Sequence, residues 1–236
     1  DYFIETMQKE GYFILSGIVL LNVFVIILFA LNNPTENWFY FFIRLCSLLG
    51  LLAMFISSIL TPFQRELYRI FKTSFIKIHH GSAITGLVLI TMHPILFAID
   101  QGIKNSIGQG FAVFVPVFSS WLAFWQLAGR PALIFIYVAL IAVLLRRSIK
   151  KSWRWLHSFN YIALVFGVIH GILIGSDFYN FQEPIVVTEL LITIFFIILT
   201  ITTLVTFTMK RLTMIKRQRK RKKRKQEKEK IAEEKP

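Results

Sequence analysis

The chain has 236 residues, of which 55% are hydrophobic and 24 are Phe, whereas only 13 are acidic. This composition excludes a water-soluble domain with a single core and indicates an integral membrane protein in contact with membrane lipid. The formal net charge of +14 comes mostly from inter-helix loops and the C-terminal end, so it reports membrane topology and does not indicate a nucleic-acid partner.

Six segments meet or approach the length of about 20 apolar residues that a helix needs to cross a bilayer. In chain order they are residues 11–31, 38–60, 78–99, 131–145, 160–174 (with an amphipathic extension over 153–159) and 184–207. The fourth is the shortest, and it begins at Pro131, a residue that suits the first turn of a helix. The sequence therefore predicts an all-α integral membrane protein, a six-transmembrane-helix bundle.

The basic residues of the short loops predict the orientation of this bundle. The second and fourth loops are rich in Lys and Arg, whereas the loops at 32–37 and 176–183 have none and the connection 100–130 has two. We therefore predict a multi-pass protein of the cell membrane with both termini in the cytoplasm. The basic residues are Arg65, Arg69, Lys72 and Lys77 in the second loop, and Arg146, Arg147, Lys150, Lys151 and Arg154 in the fourth.

The connection between the third and fourth predicted spans is long and contains an apolar stretch, residues 111–127. We predict an interfacial or re-entrant helix there that covers the outer mouth of the bundle. Trp121 and Trp125 are four residues apart and would share a face of that helix. An ordinary packing loop without a site of its own is the alternative.

Residues 210–236 are strongly basic, with the sequence KRLTMIKRQRKRKKRKQEKEKIAEEKP. A basic cluster next to a span is attracted to anionic lipid headgroups. We predict a transmembrane domain over residues 1–209 and a cytoplasmic tail over 210–236. We interpret the tail as a stop-transfer anchor with a solvated or disordered end, and a docking patch for an acidic partner is the alternative.

All histidines of the chain lie in two apolar segments, residues 76–94 and 153–175. Polar groups are unfavourable in hydrocarbon, so a histidine within a span usually faces the bundle interior and marks a functional site. The five are His79, His80, His93, His157 and His170.

The spacing of these histidines predicts two pairs at two depths. His79 and His93 are 14 residues apart, which returns to nearly the same helix face after a rise of about 21 Å. His157 and His170 are 13 residues apart, so the fifth helix must be overwound locally or His157 must lie at its fraying end. The two helices run parallel, which matches His79 with His157 and His93 with His170. His80 remains a rival for His79, because it repeats the 13-residue spacing.

Each depth offers only two imidazoles, whereas a zinc site needs three or four convergent protein ligands. A porphyrin supplies four equatorial nitrogens itself, and its apolar edges pack against Phe, Leu and Ile. We therefore predict two b-type haems: His79 and His157 bind the inner haem iron, and His93 and His170 the outer haem iron. With both axial positions occupied by histidine, an iron has no open site for a substrate, so such haems carry electrons.

Several basic residues are candidate partners of the haem propionates. Lys77 and Arg154 lie where propionates of the inner haem would emerge, and Lys104 or Arg130 could serve the outer haem. The positive-inside rule explains Lys77 and Arg154 equally well.

Both histidine segments resemble the ferric reductase-like transmembrane domain superfamily. This superfamily includes ferric-chelate reductases, NADPH oxidases and the haem-binding membrane subunit of the methionine-sulfoxide reductase system. The resemblance covers residues 76–174, and its most specific part is Trp153-Arg154-x-Leu156-His157 with Tyr161 and His170. Gly129-Arg130-Pro131 also resembles the methionine-sulfoxide subunit. In the oxidases and metalloreductases, the resemblance implies an inner haem at the counterparts of His79 and His157, and an outer haem at those of His93 and His170.

The chain departs from this superfamily in two ways. Oxidases and metalloreductases continue into a flavin- and nicotinamide-binding domain, whereas this sequence has a basic tail and no Gly-rich dinucleotide fingerprint. The position after the first histidine, usually basic in the family, is His80. The resemblance therefore implies a ferric reductase-like oxidoreductase component that uses FAD or FMN only through a partner protein.

The leading hypothesis is a di-haem b-type transmembrane electron-transfer protein. A cytoplasmic flavoprotein reductase would reduce the inner haem, and the outer haem would pass the electron to ferric iron, oxygen or a partner reductase outside. The first alternative is a quinol-linked cytochrome b subunit, with Asp100, Asp177 or Glu183 contributing to a quinone pocket. The second is a transporter or channel whose histidines relay protons without a cofactor.

Overall fold

A computed structural model describes residues 8–32, 37–72, 75–179 and 184–233. Within these ranges the chain is helical apart from its turns and connections and contains no strand. The α-helices are α1 (Lys9–Leu31), α2 (Trp38–Leu60), α3 (Gln64–Phe71), α4 (Phe75–Lys104), α5 (Ile107–Ala112), α6 (Trp121–Gln126), α7 (Gly129–Leu144), α8 (Trp153–His157), α9 (Phe159–Ile174) and α10 (Val187–Glu233), and a 3-10 turn, Thr61–Phe63, joins α2 to α3.

The predicted all-helical membrane architecture is confirmed in its main features. Among the described residues, five helical stretches are long and apolar enough to cross a bilayer: Lys9–Leu31, Trp38–Phe71, Lys77–Lys104, Trp153–Ile174 and Val187–Lys216. The sixth predicted span corresponds to α7, which is apolar but has only 16 residues. The chain therefore has the helices of a multi-pass membrane protein.

Two helix boundaries have clear local causes. The side chain of Asn37 accepts hydrogen bonds from the backbone N–H groups of Phe39 and Tyr40, which caps α2 where the sequence predicts its start. Helix α4 extends beyond the predicted residues 78–99 on both sides. Its last turn carries an ion pair four residues apart, with Lys104 Nζ 2.9 Å from Asp100, an arrangement that stabilises a helix.

The main core lies between α1, α2, α9 and α10. Its largest fully buried side chains include Phe55 of α2 and Phe196 of α10, whose rings lie 6.2 Å apart, with Leu52 and Ile192 beside them. On the outward faces of the same helices, large apolar side chains are exposed, for example Leu20 on α1. Exposed apolar faces on spans of this length indicate contact with membrane lipid.

Helices α2 and α4 pack most closely, and glycine permits their approach. A Cβ atom at Gly50 would lie 2.8 Å from the backbone nitrogen of Ile90. A Cβ at Gly86 would lie 2.8 Å from Met54 Cγ and 3.0 Å from Met54 N. Because these neighbours include backbone atoms, side chains at either glycine would force the two helices apart.

Residues 105–128, here called the lid segment, contain α5 and α6. The predicted single helix over 111–127 is absent; two short helices flank a non-helical connection, residues 113–120, that contains Pro116. Proline disfavours helical geometry in the residue before it, which explains the interruption. Trp121 and Trp125 do share a face of α6, with ring centroids 5.6 Å apart.

The two ends of the bundle differ in charge. The basic end carries α3 and the connection from α7 to α8, residues 145–152, and the lid segment occupies the opposite end, here called the lid end. Helix α10 leaves the basic end and continues to Glu233. The structure thus makes residues 210–233 helical, whereas the sequence favoured a disordered tail.

Candidate functional site: two histidine pairs

At the basic end, two histidines face each other across the bundle. His79 lies on α4, and His157 is the last residue of α8. Their ring centroids are 6.3 Å apart and the ring planes are inclined by 80°. His79 Nδ1 is 2.8 Å from Ser57 Oγ, and His157 Nδ1 is 3.4 Å from the carbonyl oxygen of Ala139. Two neighbouring helices thus position each ring.

The distance between these rings fits a metal held between them. A metal–imidazole nitrogen bond is about 2 Å long, so the centre of each ring lies roughly 3 Å from the metal. Two rings on opposite sides of one metal therefore have centroids roughly 6 Å apart. The observed 6.3 Å agrees with this value.

The residue adjacent to His79 has a different environment. His80 is exposed on α4, whereas His79 is half-buried against Ser57 and His157. Because α4 advances about 100° per residue, only one of two successive histidines can face the bundle interior. The structure places His79 there.

The irregularity expected around His157 lies at Ser158. Helix α8 ends at His157, and α9 begins at Phe159, with Ser158 in a turn. Helix α9 then runs without a break through Gly167. His157 therefore precedes the break, and its direction is not fixed by the phase of α9.

At the lid end, His93 of α4 and His170 of α9 line one cavity of about 550 Å³. His93 Nδ1 donates to the carbonyl oxygen of Ile43, at 3.0 Å, and His170 Nδ1 donates to that of Gln126, at 2.6 Å. The second predicted pair thus shares a single chamber.

The hydrogen bonds of three histidines determine which ring nitrogen can bind a metal. His93, His157 and His170 each have Nδ1 at a backbone carbonyl oxygen. A carbonyl only accepts hydrogen bonds, so Nδ1 of the neutral ring carries the proton and Nε2 keeps its lone pair. Metal-binding histidines are usually held in this way, with the second nitrogen donating to an oxygen.

The walls of the lid-end cavity fit a flat apolar cofactor. Its volume lies within the range of about 300–1,000 Å³ that is typical of ligand sites. Gly129 and Gly167 both line it, and a Cβ at Gly129 would lie 3.0 Å from His170 Nε2. The absence of a side chain there leaves room beside the nitrogen that a metal would bind. Apolar side chains form most of the remaining wall, among them Leu48, Leu133, Ile136 and Leu164.

The rim of this cavity is polar. Arg44 donates to both carboxylate oxygens of Asp177 in a buried ion pair, with its Nε 3.0 Å from Oδ2. Gln101, Gln109 and Arg130 also line the cavity. Arg130 donates from Nη1 to the carbonyl oxygen of Val115 at 2.6 Å, which ties the lid segment to α7.

The two predicted propionate partners lie on the surface of the basic end. Lys77 and Arg154 are both exposed, two and three residues before His79 and His157. The guanidinium group of Arg154 lies over the Trp153 ring, 5.6 Å from its centroid. This surface position is compatible with propionate partners and equally with basic loop residues at a membrane surface.

Several residues of the site were missed by the sequence interpretation. Lys210 of α10 donates to the carbonyl oxygen of Thr61 at 3.4 Å. Arg44 is the only charged residue between 38 and 60, which is a signal for function or burial. The carbonyl of Gln126 offers no such signal, because any residue supplies one.

Among the described residues, no three or more His, Cys, Asp or Glu side chains converge as they would around a bare metal ion. The arrangement is two imidazoles at each end, which suits a group that brings its own equatorial ligands. Comparison of the chain with protein-family models, with curated proteins and with solved structures gives no match. The functional interpretation therefore depends on the geometry of the two pairs.

Proposed function

We propose that this chain is a transmembrane electron carrier that holds two b-type haems. His79 and His157 would bind one iron at the basic end, and His93 and His170 would bind the other at the lid end. The observation that carries the proposal is the pairing itself: two sets of imidazoles at two levels of one apolar bundle, with Nδ1 of each ring already bonded to the protein.

A haem with two axial histidines supplies reversible one-electron chemistry without an open coordination position. The residues around it hold the ligands in place. The carbonyl groups at Nδ1 of His93, His157 and His170 fix ring orientation and increase the basicity of Nε2. The apolar wall of the lid-end cavity limits access of water, which affects the reduction potential.

The proposed topology has six spans with both termini in the cytoplasm, in the cell membrane. Helix α7 is the sixth span although its 16 residues rise only about 24 Å. The lid segment contacts its start through Arg130 and covers the end that α7 does not reach. The exposed basic residues of the basic end, such as Arg65, Arg147 and Lys151, support a cytoplasmic position of that end.

The electron donor in this proposal is a separate cytoplasmic flavoprotein that carries FAD or FMN, and the acceptor lies outside the membrane. Ferric iron, oxygen and a partner reductase are the acceptor classes. The chain is then a ferric reductase-like oxidoreductase component, in line with the resemblance of residues 76–174. The pair at the basic end faces the donor, and the pair at the lid end faces the acceptor.

The first experiment is a dithionite-reduced minus oxidised absorption spectrum of the purified full-length protein. We expect b-type bands and about two haems per chain, because each pair fits one iron. A spectrum without haem bands from cells supplied with haem precursor would contradict the proposal. That result would favour the alternative in which the histidines relay protons.

The second experiment assigns the ligands. His170→Ala should remove the haem at the lid end and halve the haem content, while the bands of the other haem persist. The matched control is His80→Ala, because His80 lies on the same helix as two proposed ligands but is exposed. Retention of both haems in His170→Ala, or loss of one in His80→Ala, would contradict the assignment.

The polar rim of the lid-end cavity favours one second candidate, a quinol-linked cytochrome b subunit. Gln101, Gln109 and Arg130 place hydrogen-bonding groups in the same cavity as His93 and His170. Asp177, an expected contributor, already pairs with Arg44, and Glu183 lies outside the described residues. Reduction of the haems by added quinol without a flavoprotein would support this version.

A further inference from the structure

The part of α10 from Lys210 to Glu233, here called the cationic helix, concentrates much of the charge of the chain. It contains 13 of the 27 Lys and Arg residues and only three Glu. The side chains from Arg211 to Lys216 are exposed, as are Arg219, Lys220 and Gln226 farther along. The proposed electron-carrier function gives this element no role.

The length of α10 distinguishes anionic membrane lipid from a soluble protein as the partner of the cationic helix. The helix has 47 residues without a break, so it is about 70 Å long, whereas a bilayer with its headgroups is about 40–45 Å thick. Its far end therefore projects roughly 25 Å into water. Attraction to anionic headgroups falls off within the Debye length, about 8 Å at physiological ionic strength. Lipid accounts for the charges near Lys210 but not for the distal ones.

The base of the cationic helix lies beside the basic-end histidine pair. Lys210 donates to the carbonyl oxygen of Thr61 at 3.4 Å, and Thr61 donates from Oγ1 to the carbonyl oxygen of Ser57, the residue whose hydroxyl contacts His79. Arg211 lies over the Phe207 ring, 5.4 Å from its centroid, and Phe207 in turn packs against Tyr161. A protein bound along the cationic helix is therefore held next to this pair.

The surface around that base is mainly basic, with Glu10 and Glu66 as exposed acidic residues. Arg65, Arg69 and Lys72 are exposed on and after α3, and Lys77 is exposed on α4. The connection of residues 145–152 adds four more exposed basic side chains, Arg146, Arg147, Lys150 and Lys151. A partner that approaches this end must present a negative surface, since like charges repel.

The sequence of the cationic helix also requires an opposite charge. Basic residues recur four positions apart, as at Lys216 and Lys220 and at Arg219 and Lys223, and like charges at this spacing destabilise a helix. An acidic protein surface along the helix would remove this repulsion. It would also accelerate association through long-range attraction.

We infer that the cationic helix is a docking arm for the acidic face of the soluble flavoprotein that donates electrons. The identification of the partner as the donor rests on the proposed function. The docking arm holds the partner beside His79 and His157. Anionic lipid contacts only its first turn, near Lys210.

The binding test uses the full-length protein in nanodiscs of neutral lipid and, as the probe, a reduced FMN flavodoxin of acidic surface. The test variant carries Lys220→Gln, Lys222→Gln, Lys223→Gln and Lys225→Gln. Loss of four charge pairs with an acidic partner should weaken binding about tenfold. The matched control neutralises the four basic residues of the 145–152 connection, and it should weaken binding less. Equal losses in both variants, or none in the first, would overturn the inference.

A second measurement tests where the helix lies. Cys46, the single cysteine of the chain, is first replaced by Ala so that a fluorophore can be attached at Gln226→Cys alone. Quenching of this fluorophore by nitroxide-labelled headgroups then reports contact with the membrane, in vesicles rich in phosphatidylserine. We expect no quenching, because the far end projects into water, and a slower rotation of the fluorophore when flavodoxin is added. Quenching would show that the cationic helix binds to the lipid surface and would overturn the inference. Tighter binding of a short DNA duplex than of flavodoxin would show that the helix binds nucleic acid and would also overturn it.

The two proposals can fail separately. Flavodoxin binding is measured by the anisotropy of a dye attached to flavodoxin and does not depend on haem content, which is determined from the spectrum. A chain that binds flavodoxin through the cationic helix but holds no haem would contradict the proposed function and leave the docking arm intact. A chain that holds two haems but whose flavodoxin binding is unchanged by the four substitutions would support the proposed function and contradict the docking arm.

Discussion

At the residue scale, the site depends on which ring nitrogen of each histidine is hydrogen-bonded to the protein. Backbone carbonyl oxygens hold Nδ1 of His93, His157 and His170, and Ser57 Oγ contacts Nδ1 of His79. This arrangement resists rotation of the rings and leaves Nε2 free of these hydrogen bonds. It also explains why the neighbour His80, although identical in chemistry, is a poor candidate: it is exposed.

The buried ion pair at the lid end yields a prediction about stability. Asp177→Ala leaves the guanidinium group of Arg44 buried without its carboxylate, and removal of one partner of a buried pair costs about 3–5 kcal/mol of the free energy of unfolding. We expect a large fall in the thermal midpoint in detergent. The double variant Arg44→Met with Asp177→Leu should lose less, because no charge remains buried.

The control for this prediction is the other ion pair of the same end. Lys104 pairs with Asp100; the lysine side chain is 52% exposed and the aspartate side chain 7%, so the double variant Lys104→Ala with Asp100→Asn removes this pair without leaving a buried charge. That variant should lower the thermal midpoint less than Asp177→Ala does. A change as large as that of Asp177→Ala would show that the two pairs do not differ in the way their burial implies.

At the element scale, the close packing of α2 on α4 positions both histidines of α4. Gly50 and Gly86 let the two backbones approach, and α2 then supplies Ser57 to His79 and the carbonyl oxygen of Ile43 to His93. The rise of α4 between its two histidines matches the separation of these two hydrogen-bond partners on α2. One helix pair therefore sets the depth of both levels.

Gly86→Ala tests this packing. The added Cβ would lie 2.8 Å from Met54 Cγ and 3.1 Å from the carbonyl oxygen of Gly50, and overpacking of this kind costs about 1–3 kcal/mol. We expect a lower thermal midpoint and, in the haem-loaded protein, altered bands of the basic-end haem as Ser57 moves from His79. Gly81→Ala, on the same helix but with open space around its Cβ, should be neutral or stabilising by about 0.5–1 kcal/mol.

At the scale of the whole molecule, the bundle has a charged end and a covered end. Exposed basic side chains surround the His79 and His157 pair, whereas the lid segment lies over the cavity of His93 and His170 and connects to it through Gln126 and Arg130. The two histidine pairs therefore differ in accessibility. The charged surface around His79 and His157 is open to a charged protein, whereas the lid segment limits approach to His93 and His170.

Accessibility of introduced cysteines tests the proposed topology. In a Cys46→Ala background, a membrane-impermeant maleimide added to intact cells should label Asn105→Cys, between α4 and α5. It should label Lys150→Cys and Gln226→Cys only after permeabilisation, because basic loops stay in the cytoplasm. All three positions are exposed. Labelling of Asn105→Cys and Lys150→Cys from the same side would show that α7 does not cross the membrane.

Local patterns account for the parts of this protein that were predicted well. The all-helical class and the bounds of α2 follow from apolar runs and a capping Asn37, and the confinement of histidine to two segments indicated the pairs. The break of the lid helix also has a local cause at Pro116. The helical state of residues 210–233 was not predicted, because a run of like charges favours solvation over helix formation when considered alone.

The sequence by itself determined that apolar helices of spanning length carry all the histidines, since that depends on composition and spacing along one chain. Only the tertiary structure decided that His79 rather than His80 faces His157, that Arg44 pairs with Asp177, and that Lys210 hydrogen-bonds to Thr61. Each of these contacts joins residues far apart in sequence. The rotation and close approach of neighbouring helices fix such contacts, and no periodicity within a single segment encodes them.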